Sequence, residues 1–319
     1  MILAAGYGAR LWPLTADRTK PALPVLGKPL VGYVAEYLAQ QGIEDVIVNL
    51  HHRPESVRAA LGDGSHFGVQ LQYVHEPEIL GTSGALDNAR QAIGTETFVV
   101  INGKLITDID LRAAIETHRQ TSALATLVLR RNPSRERFSM VETSDGFVTR
   151  FAGMPGPTDD EPLMFTGIQI MDGGIFNYIP PGVFSHSTTE VFPLAIAKGE
   201  RIAAHVATGM WFELSTLKRY LDISLALLDQ RGLDLHTGRN PSIDPRADIR
   251  QSILWNDVTV EGGATVRRAI LGDGVRVRAG EVVEDVAVVR AELVRGMTPP
   301  AKAPRGSVQG DNFVVPLSQ

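Results

Sequence analysis

Leu3-Ala4-Ala5-Gly6-Tyr7-Gly8-Ala9-Arg10-Leu11 decides how this chain is read. A short apolar start breaks into a loop with two glycines, an arginine follows, and Pro13-Leu14-Thr15, Lys20-Pro21 and Leu23-Pro24-Val25 come behind it. Glycine carries no Cβ, so a strand opening into such a loop lets backbone N–H groups approach an anion closely. Arg10 and Lys20 stand where they can reach its phosphates. The Gly-x-Gly turn alone is common to many tight turns; the whole string narrows the reading.

Outward from that stretch, apolar runs alternate with amphipathic ones as far as about Leu129. The runs Val46-Ile47-Val48, residues 69–74, Phe98-Val99-Val100-Ile101 and residues 125–129 read as strands. Helices are expected from Pro29 to Gly42, from Pro54 to Leu61, from Ala85 to Ile93 and from Leu111 to His118. Alternation at these lengths predicts an α/β fold, a Rossmann-like, doubly wound and mostly parallel sheet, with ligands at the carboxyl ends of its strands. Asp145-Gly146 between Met140-Val141-Glu142 and Phe147-Val148-Thr149 predicts a hairpin. Gly167-Ile168-Gln169-Ile170 reads as a further strand, and residues 217–228 as a helix.

After Pro241 the texture changes. Ile253, Val258, Val260, Val266, Ile270, Val275, Val277 and Val282 recur at close intervals with Gly262-Gly263, Gly272, Gly274 and Gly280 between them. Apolar rungs with turn glycines predict a small C-terminal left-handed β-helix, each coil burying its face on the next. The expected domains are residues 1–235, the β-helix 236–296, and an extended tail 297–319 that Phe313-Val314-Val315-Pro316 could dock back.

Composition sets bounds. The 319 residues are 44% hydrophobic and 21% charged, ordinary for a chain with a full core, and the formal net charge of -5 gives no basic excess for nucleic acid. With no cysteine, disulfides and thiolate chemistry are excluded. No apolar run approaches the roughly 18 residues of a membrane span, and no signal-peptide pattern leads the chain. A cytoplasmic protein without nucleic-acid or membrane partners is expected. A first strand of three residues is short enough that the true start could lie upstream.

The opening string closely resembles the signature of the sugar-1-phosphate nucleotidylyltransferases, which make nucleotide sugars from a nucleoside triphosphate and a sugar 1-phosphate. The resemblance extends over nearly the full chain, and the terminal coils are most similar to the mannose-1-phosphate guanylyltransferase branch. It implies nucleotide contacts from Leu3, Ala4, Ala5, Gly6 and Gly8, from Gly81-Thr82-Ser83-Gly84, and from Asn102-Gly103. Gly81–Gly84 also suits a helix N-terminus with free N–H groups, or a simple cap. Thr166, Gly167 and Glu190 are the sugar-side candidates, with a capping role open for Glu190. Arg10 and Lys20 would stabilise the phosphates and the leaving pyrophosphate, and Mg²⁺ held by two aspartates is expected for the family. GTP and mannose 1-phosphate are the favoured substrates, on resemblance alone, and a homo-oligomer through the β-helix is expected.

Three positions depart from the family pattern. Asn-Gly-Asp reads Asn102-Gly103-Lys104; the metal aspartate after a tryptophan reads Trp211-Phe212-Glu213; and Glu-Lys-Pro reads Gly153-Met154-Pro155. The first matters most. At an effective dielectric near 20, unit charges about 4 Å apart interact by roughly 4 kcal/mol, so exchanging aspartate for lysine beside a divalent ion swings on the order of 16 kcal/mol before relaxation. Glu213 keeps a carboxylate on a longer arm. Lys104 then has three readings: its ammonium replaces the metal; turnover is lost and the chain is a nucleotide-sugar-binding regulatory or partner subunit; or the side chain turns to solvent. His51-His52 invites a metal reading, but neighbours on an extended segment face opposite ways, so loop histidines are expected.

Overall fold

The structure is a computed structural model that describes residues 1–134, 136, 138–152 and 162–318. The altered segment Gly153-Met154-Pro155 lies outside the described residues. The chain folds as two compact bodies, each assembled from separated stretches. Met1–Gly6, Val31–Pro54 and Leu61–Trp211 form the first; Tyr7–Leu30, Glu55–Ala60 and Phe212–Gln319 form the second.

The first body is built on nine strands: β1 (Ile2–Leu3), β2 (Asp45–Leu50), β3 (Gln70–His75), β4 (Phe98–Asn102), β5 (Ala125–Arg131), β6 (Met140–Ser144), β7 (Phe147–Ala152), β8 (Leu163–Met171) and β9 (Ile202–Val206). Their order is β3-β2-β1-β4-β8-β5-β9-β7-β6. The first four are mutually parallel, as the alternation predicts, while β8 runs antiparallel between β4 and β5, so the sheet is mixed. The hairpin β6–β7 turns through Asp145 and Gly146 with φ of 51° and 82°, the doubly left-handed geometry that matches strand twist. One buried core runs through Val100, Leu127, Leu129, Ile175 and Phe192. Burying a side chain of this kind contributes about 1.5–3 kcal/mol, which is why β-branched runs fix these strands.

Register sets the level of the candidate site. Leu3 lies beside Asn49 of β2 and Asn102 of β4, so three strands end together at their carboxyl edges.

The helices are α1 (Leu30–Gln40), α2 (Pro54–Leu61), α3 (Gly81–Asn88), α4 (Arg90–Ile93), α5 (Leu111–Thr121), α6 (Phe192–Ala197) and α7 (Leu217–Asp229). Helix α3 begins four residues before the expected Ala85. Glycine is a poor helix former, but the Ser185 carbonyl accepts from Ser83 N at 3.0 Å and Gly84 N at 3.4 Å, so a tertiary contact caps the first turn.

In the second body, α7 buries Tyr220, Leu221, Leu227 and Leu228, and the coils form a parallel β-helix. Ile253 stands beside Ile270, which stands beside Ala287, a coil of 17 residues, and three such ladders run side by side. Val258, Val260, Val266, Val275 and Val277 fill the interior. Left-handed corners repeat with the coil: Asn240, Asp257 and Gly274 have φ of 52°, 58° and 68°, and Gln251, Arg268 and Asp285 have φ of 47°, 47° and 51°. Glycine thus marks only some corners. The tail returns as Asn312–Pro316, antiparallel to Val286–Arg290, with Ser307–Gln309 outside it.

Candidate functional site

The first body presents its strand ends. Gly103 N donates to Leu3 O at 2.9 Å, and a Cβ on Gly103 would lie 2.9 Å from that oxygen. Its glycine lets the β4 turn close on β1. Gly167 has φ of 83°, and a Cβ there would meet Asn102 Nδ2 at 2.1 Å, so the Asn102 amide occupies the room this glycine leaves. It sits in a register shift of β8 between Phe165 and Gln169, and bulges of this kind recur beside active sites. Asn102 and Gly167, expected to serve nucleotide and sugar respectively, are therefore neighbours.

Gly6 differs from both. Its backbone is not left-handed, it is exposed, and no atom of the described residues lies within 4 Å of where its Cβ would be. Nothing among the described residues requires glycine there. Loss of a side chain with no internal reason suits close approach by something from outside.

Other expected site residues have structural duties. Thr166 is fully buried; its hydroxyl donates to Val128 O at 2.7 Å, and its carbonyl accepts from Trp211 Nε1 at 3.0 Å. The Thr166 hydroxyl, expected on the sugar side, is thus taken up within the chain. Glu190 caps its own turn, accepting from His186 N at 3.0 Å. The Gly81–Gly84 turn is closed from within: Ser83 N and Gly84 N are taken by Ser185 O, and Thr82 N by His186 Nδ1 at 3.4 Å. A Cβ on Gly81 would lie 2.4 Å from Ser185 O and one on Gly84 2.5 Å from Val183 O, so these glycines answer to that neighbouring segment. The expectation of free N–H groups fails for Ser83 and Gly84, because the chain satisfies its own helix start.

The second body carries the cations. Gly8 has φ of 67°, and a Cβ there would stand 2.9 Å from Lys20 Cβ and 3.3 Å from Lys20 N, so the glycine turn and the lysine segment pack backbone to backbone. Arg10 lies exposed in the turn Ala9–Leu11, and Lys20 half-buried at the start of Lys20–Ala22. The segment is braced from several sides. Arg18 Nη2 pairs with Asp17 at 2.8 Å and Asp273 at 2.7 Å, and its guanidinium lies 5.0 Å from the Trp255 ring centroid. Burial opposes the charge of Arg18, but the two carboxylates more than offset it and raise its pKa. Tyr220 donates to Pro24 O and accepts from Trp255 Nε1 at 2.9 Å. Thr19 is buried with N and Oγ1 each 3.1 Å from Ser56 Oγ.

The metal expectation meets a donor set that does not fit. Lys104 stands half-buried in the turn after β4, where an aspartate is expected, and Asp108 accepts from Met210 N at 2.6 Å. Glu213 belongs to the other body, where its carbonyl accepts from Arg219 Nε at 3.0 Å. Among the described residues no group of three or more His, Asp or Glu side chains is placed to hold a metal ion. His51 Nδ1 lies 2.9 Å from Glu76 O. No helix among the described residues is long and apolar enough to cross a membrane.

Two residues that the sequence did not flag stand out. Asn49 and Glu76 are buried polar side chains at the ends of β2 and β3, in contact with each other. An asparagine directly after the apolar run Val46-Ile47-Val48 is the signal that could have found the first.

Known proteins are similar to this chain over most of its length. It is 31% identical over 299 residues to mannose-1-phosphate guanylyltransferase of Mycobacterium tuberculosis, covering 89% of this chain and 82% of that one. It is 30% identical to UTP--glucose-1-phosphate uridylyltransferase of Synechocystis, covering 87% and 76%. A solved structure from Bacillus anthracis, assigned as a glucose-1-phosphate thymidylyltransferase, superposes with a TM-score of 0.63 at 25% identity, covering 71% of this chain and 93% of that one. The family model described as nucleotidyl transferase matches residues 1–230. The chain belongs to the nucleotidyl transferase family.

Proposed function

We propose that this chain transfers a nucleoside monophosphate from a nucleoside triphosphate to a sugar 1-phosphate. A sugar-phosphate oxygen attacks the α-phosphorus in line; the new O–P bond forms as the bond to the β-phosphate oxygen breaks, and pyrophosphate leaves with that electron pair. Positioning and charge neutralisation dominate such a reaction. Arg10 and Lys20 bind and neutralise the triphosphate and the departing pyrophosphate. Gly6, with Leu3, Ala4, Ala5 and Gly8, lets the nucleotide lie against backbone, and Asn102, Gly103 and Gly167 shape the strand-end floor. The Lys104 ammonium serves as a point charge where a chain-held metal would otherwise stand. The observation that carries this reading is Gly6, whose open Cβ position has no internal explanation.

The relatives' names span guanylyl, uridylyl and thymidylyl transfer, so the base is a point for experiment; GTP with mannose 1-phosphate is the favoured pair. Residues 1–235 form the transfer domain of the proposal, 236–296 its β-helix, and the helix is the expected surface for a homo-oligomer. Lys104 also favours a second reading, a chain that binds nucleotide sugar without turnover.

Pyrophosphate release from GTP, UTP and dTTP against a panel of sugar 1-phosphates, with and without EDTA, separates the two. Turnover is expected in at least one pairing, and it should survive chelation better than in a metal-dependent enzyme. Binding without turnover in every pairing selects the second reading; no binding at all rejects both. Lys104→Asp, if it makes turnover depend on magnesium, shows that the ammonium stood in for the ion.

A further inference from the structure

Two buried side chains join the strand-end loop to the Gly81–Gly84 turn. Asn49 Oδ1 accepts from Ala4 N at 2.6 Å, Asn49 Nδ2 donates to Glu76 Oε1 at 2.5 Å, and Glu76 Oε2 accepts from Leu80 N at 3.1 Å. Asn49 is 3% exposed and Glu76 1%. Each bond fixes the polarity of the next. Ala4 N–H can only donate, so the Asn49 oxygen must face it; the amide nitrogen then faces Glu76, and the second carboxyl oxygen is left for Leu80. Reversing the Asn49 amide would break two bonds together.

The two ends of this relay are the places where the loops leave their elements. Leu3 is the last residue of β1, so the Ala4 N–H turns away from the strand ladder to a side chain. Leu80 immediately precedes Gly81, and its carbonyl is held in turn by Ser185 N at 3.0 Å. Glu76 is itself placed by Glu76 N donating to Leu50 O at 2.7 Å and by His51 on its carbonyl.

We propose that Asn49 and Glu76 are positioning residues for nucleotide binding, holding the Ala4–Gly6 corner and the entrance of the Gly81–Gly84 turn as one pre-set jaw. The proposal rests on the nucleotide-loop reading above. Neither residue touches the nucleotide; each acts by fixing backbone that does, and pre-set geometry lowers the ordering cost of binding.

The test uses the full chain with Asn49→Asp and Glu76→Gln, both close to isosteric. The first removes the donor toward Glu76 and sets two carboxyl groups together. The second leaves one of Asn49 Nδ2 and Leu80 N–H without an acceptor. Calorimetry with GTP, UTP and dTTP, each alone, is expected to show about tenfold or greater weakening in both variants, which corresponds to about 1.4 kcal/mol. The double variant should be no weaker than the worse single one, because one relay is broken once. Hydrogen exchange is expected to rise together in peptides covering residues 1–11 and 77–86 and to stay unchanged in the β-helix, a paired response that general destabilisation would not give. Affinities within about twofold of the parent in folded variants, while Arg10→Ala and Lys20→Ala abolish binding, overturn this inference alone. A parent chain that binds no nucleotide overturns the transfer reading and this inference with it. If a variant does not fold, the parent still decides: Ala4 and Leu80 amides exchanging as freely as exposed loops overturn the relay.

Discussion

The two bodies hold their functional stretches by different physical means. In the first, Ala4–Gly6 and Gly81–Gly84 are neutral backbone, fixed by buried polar bonds through Asn49, Glu76 and Ser185. In the second, the stretch with Arg10 and Lys20 is fixed by ion pairs, a guanidinium over an indole and a tyrosine hydroxyl. Buried polar bonds are directional and shielded from salt, whereas half-exposed ion pairs are screened. The difference teaches where each kind of brace is used in this molecule: ion pairs and an indole seat the stretch that carries Arg10 and Lys20, while a buried amide and a buried carboxylate, accepting at both its oxygens, hold the Ala4 and Leu80 backbone.

The comparison breaks most visibly at its charged end. Arg10→Ala and Lys20→Ala should each cost about 10²–10³ in turnover, the usual scale for losing one stabilising donor on developing charge, with melting temperature unchanged; pyrophosphate release and thermal denaturation measure both. Next comes the contrast between two glycines two residues apart. Gly6→Ala should leave stability unchanged or slightly improved, since no atom of the described residues opposes its Cβ, yet weaken GTP binding about tenfold. Gly8→Ala should do the reverse first, costing about 1–3 kcal/mol in denaturant unfolding, because alanine must take φ of 67° against the Lys20 backbone.

A smaller effect tests the brace. Arg18→Met removes the pair to Asp273 and should cost about 1–2 kcal/mol, loosening nucleotide affinity in parallel; if salt raises the parent's Kd toward that of the variant, screening is the shared cause. The smallest effect lies away from both stretches. His118 is buried against Thr126 Oγ1 at 2.9 Å, and burial holds its pKa below the ordinary histidine value, with Asp172 acting weakly the other way. A base with a depressed folded pKa takes up more protons unfolded, so stability is full above about pH 6.5 and declines as pH falls. In His118→Gln, unfolding midpoints should decline less between about pH 7 and about pH 5 than in the parent.

Much of this was legible because glycine and periodicity report local geometry. Val46-Ile47-Val48 and Phe98-Val99-Val100-Ile101 became neighbours of β1, and Asp145-Gly146 became a hairpin. Asn49 and Glu76 were not legible: their role depends on register between strands far apart in sequence, and a single buried polar residue carries no period. Thr166 and Glu190 read as sugar contacts because their neighbours matched a known pattern, yet a threonine facing Val128 O and a glutamate reaching back four residues look the same in a string of letters. Corner residues such as Asn240, Gln251 and Arg268 hid for a related reason, since the β-helix imposes left-handed backbone on residues that would not choose it.

The shared body of Tyr7–Leu30 and Phe212–Gln319 has a consequence for how the protein is made. Synthesis delivers Arg10 and Lys20 almost at once, but Tyr220, Trp255 and Asp273, which seat their segment, lie far later in the sequence. Domains close as their parts emerge, so a nascent or prematurely ended chain can assemble its sheet while the segment that carries Arg10 and Lys20 stays unseated. On the proposed function, competence to hold nucleotide should therefore arrive as a late event in translation, and abortive products should not compete with finished molecules for triphosphates.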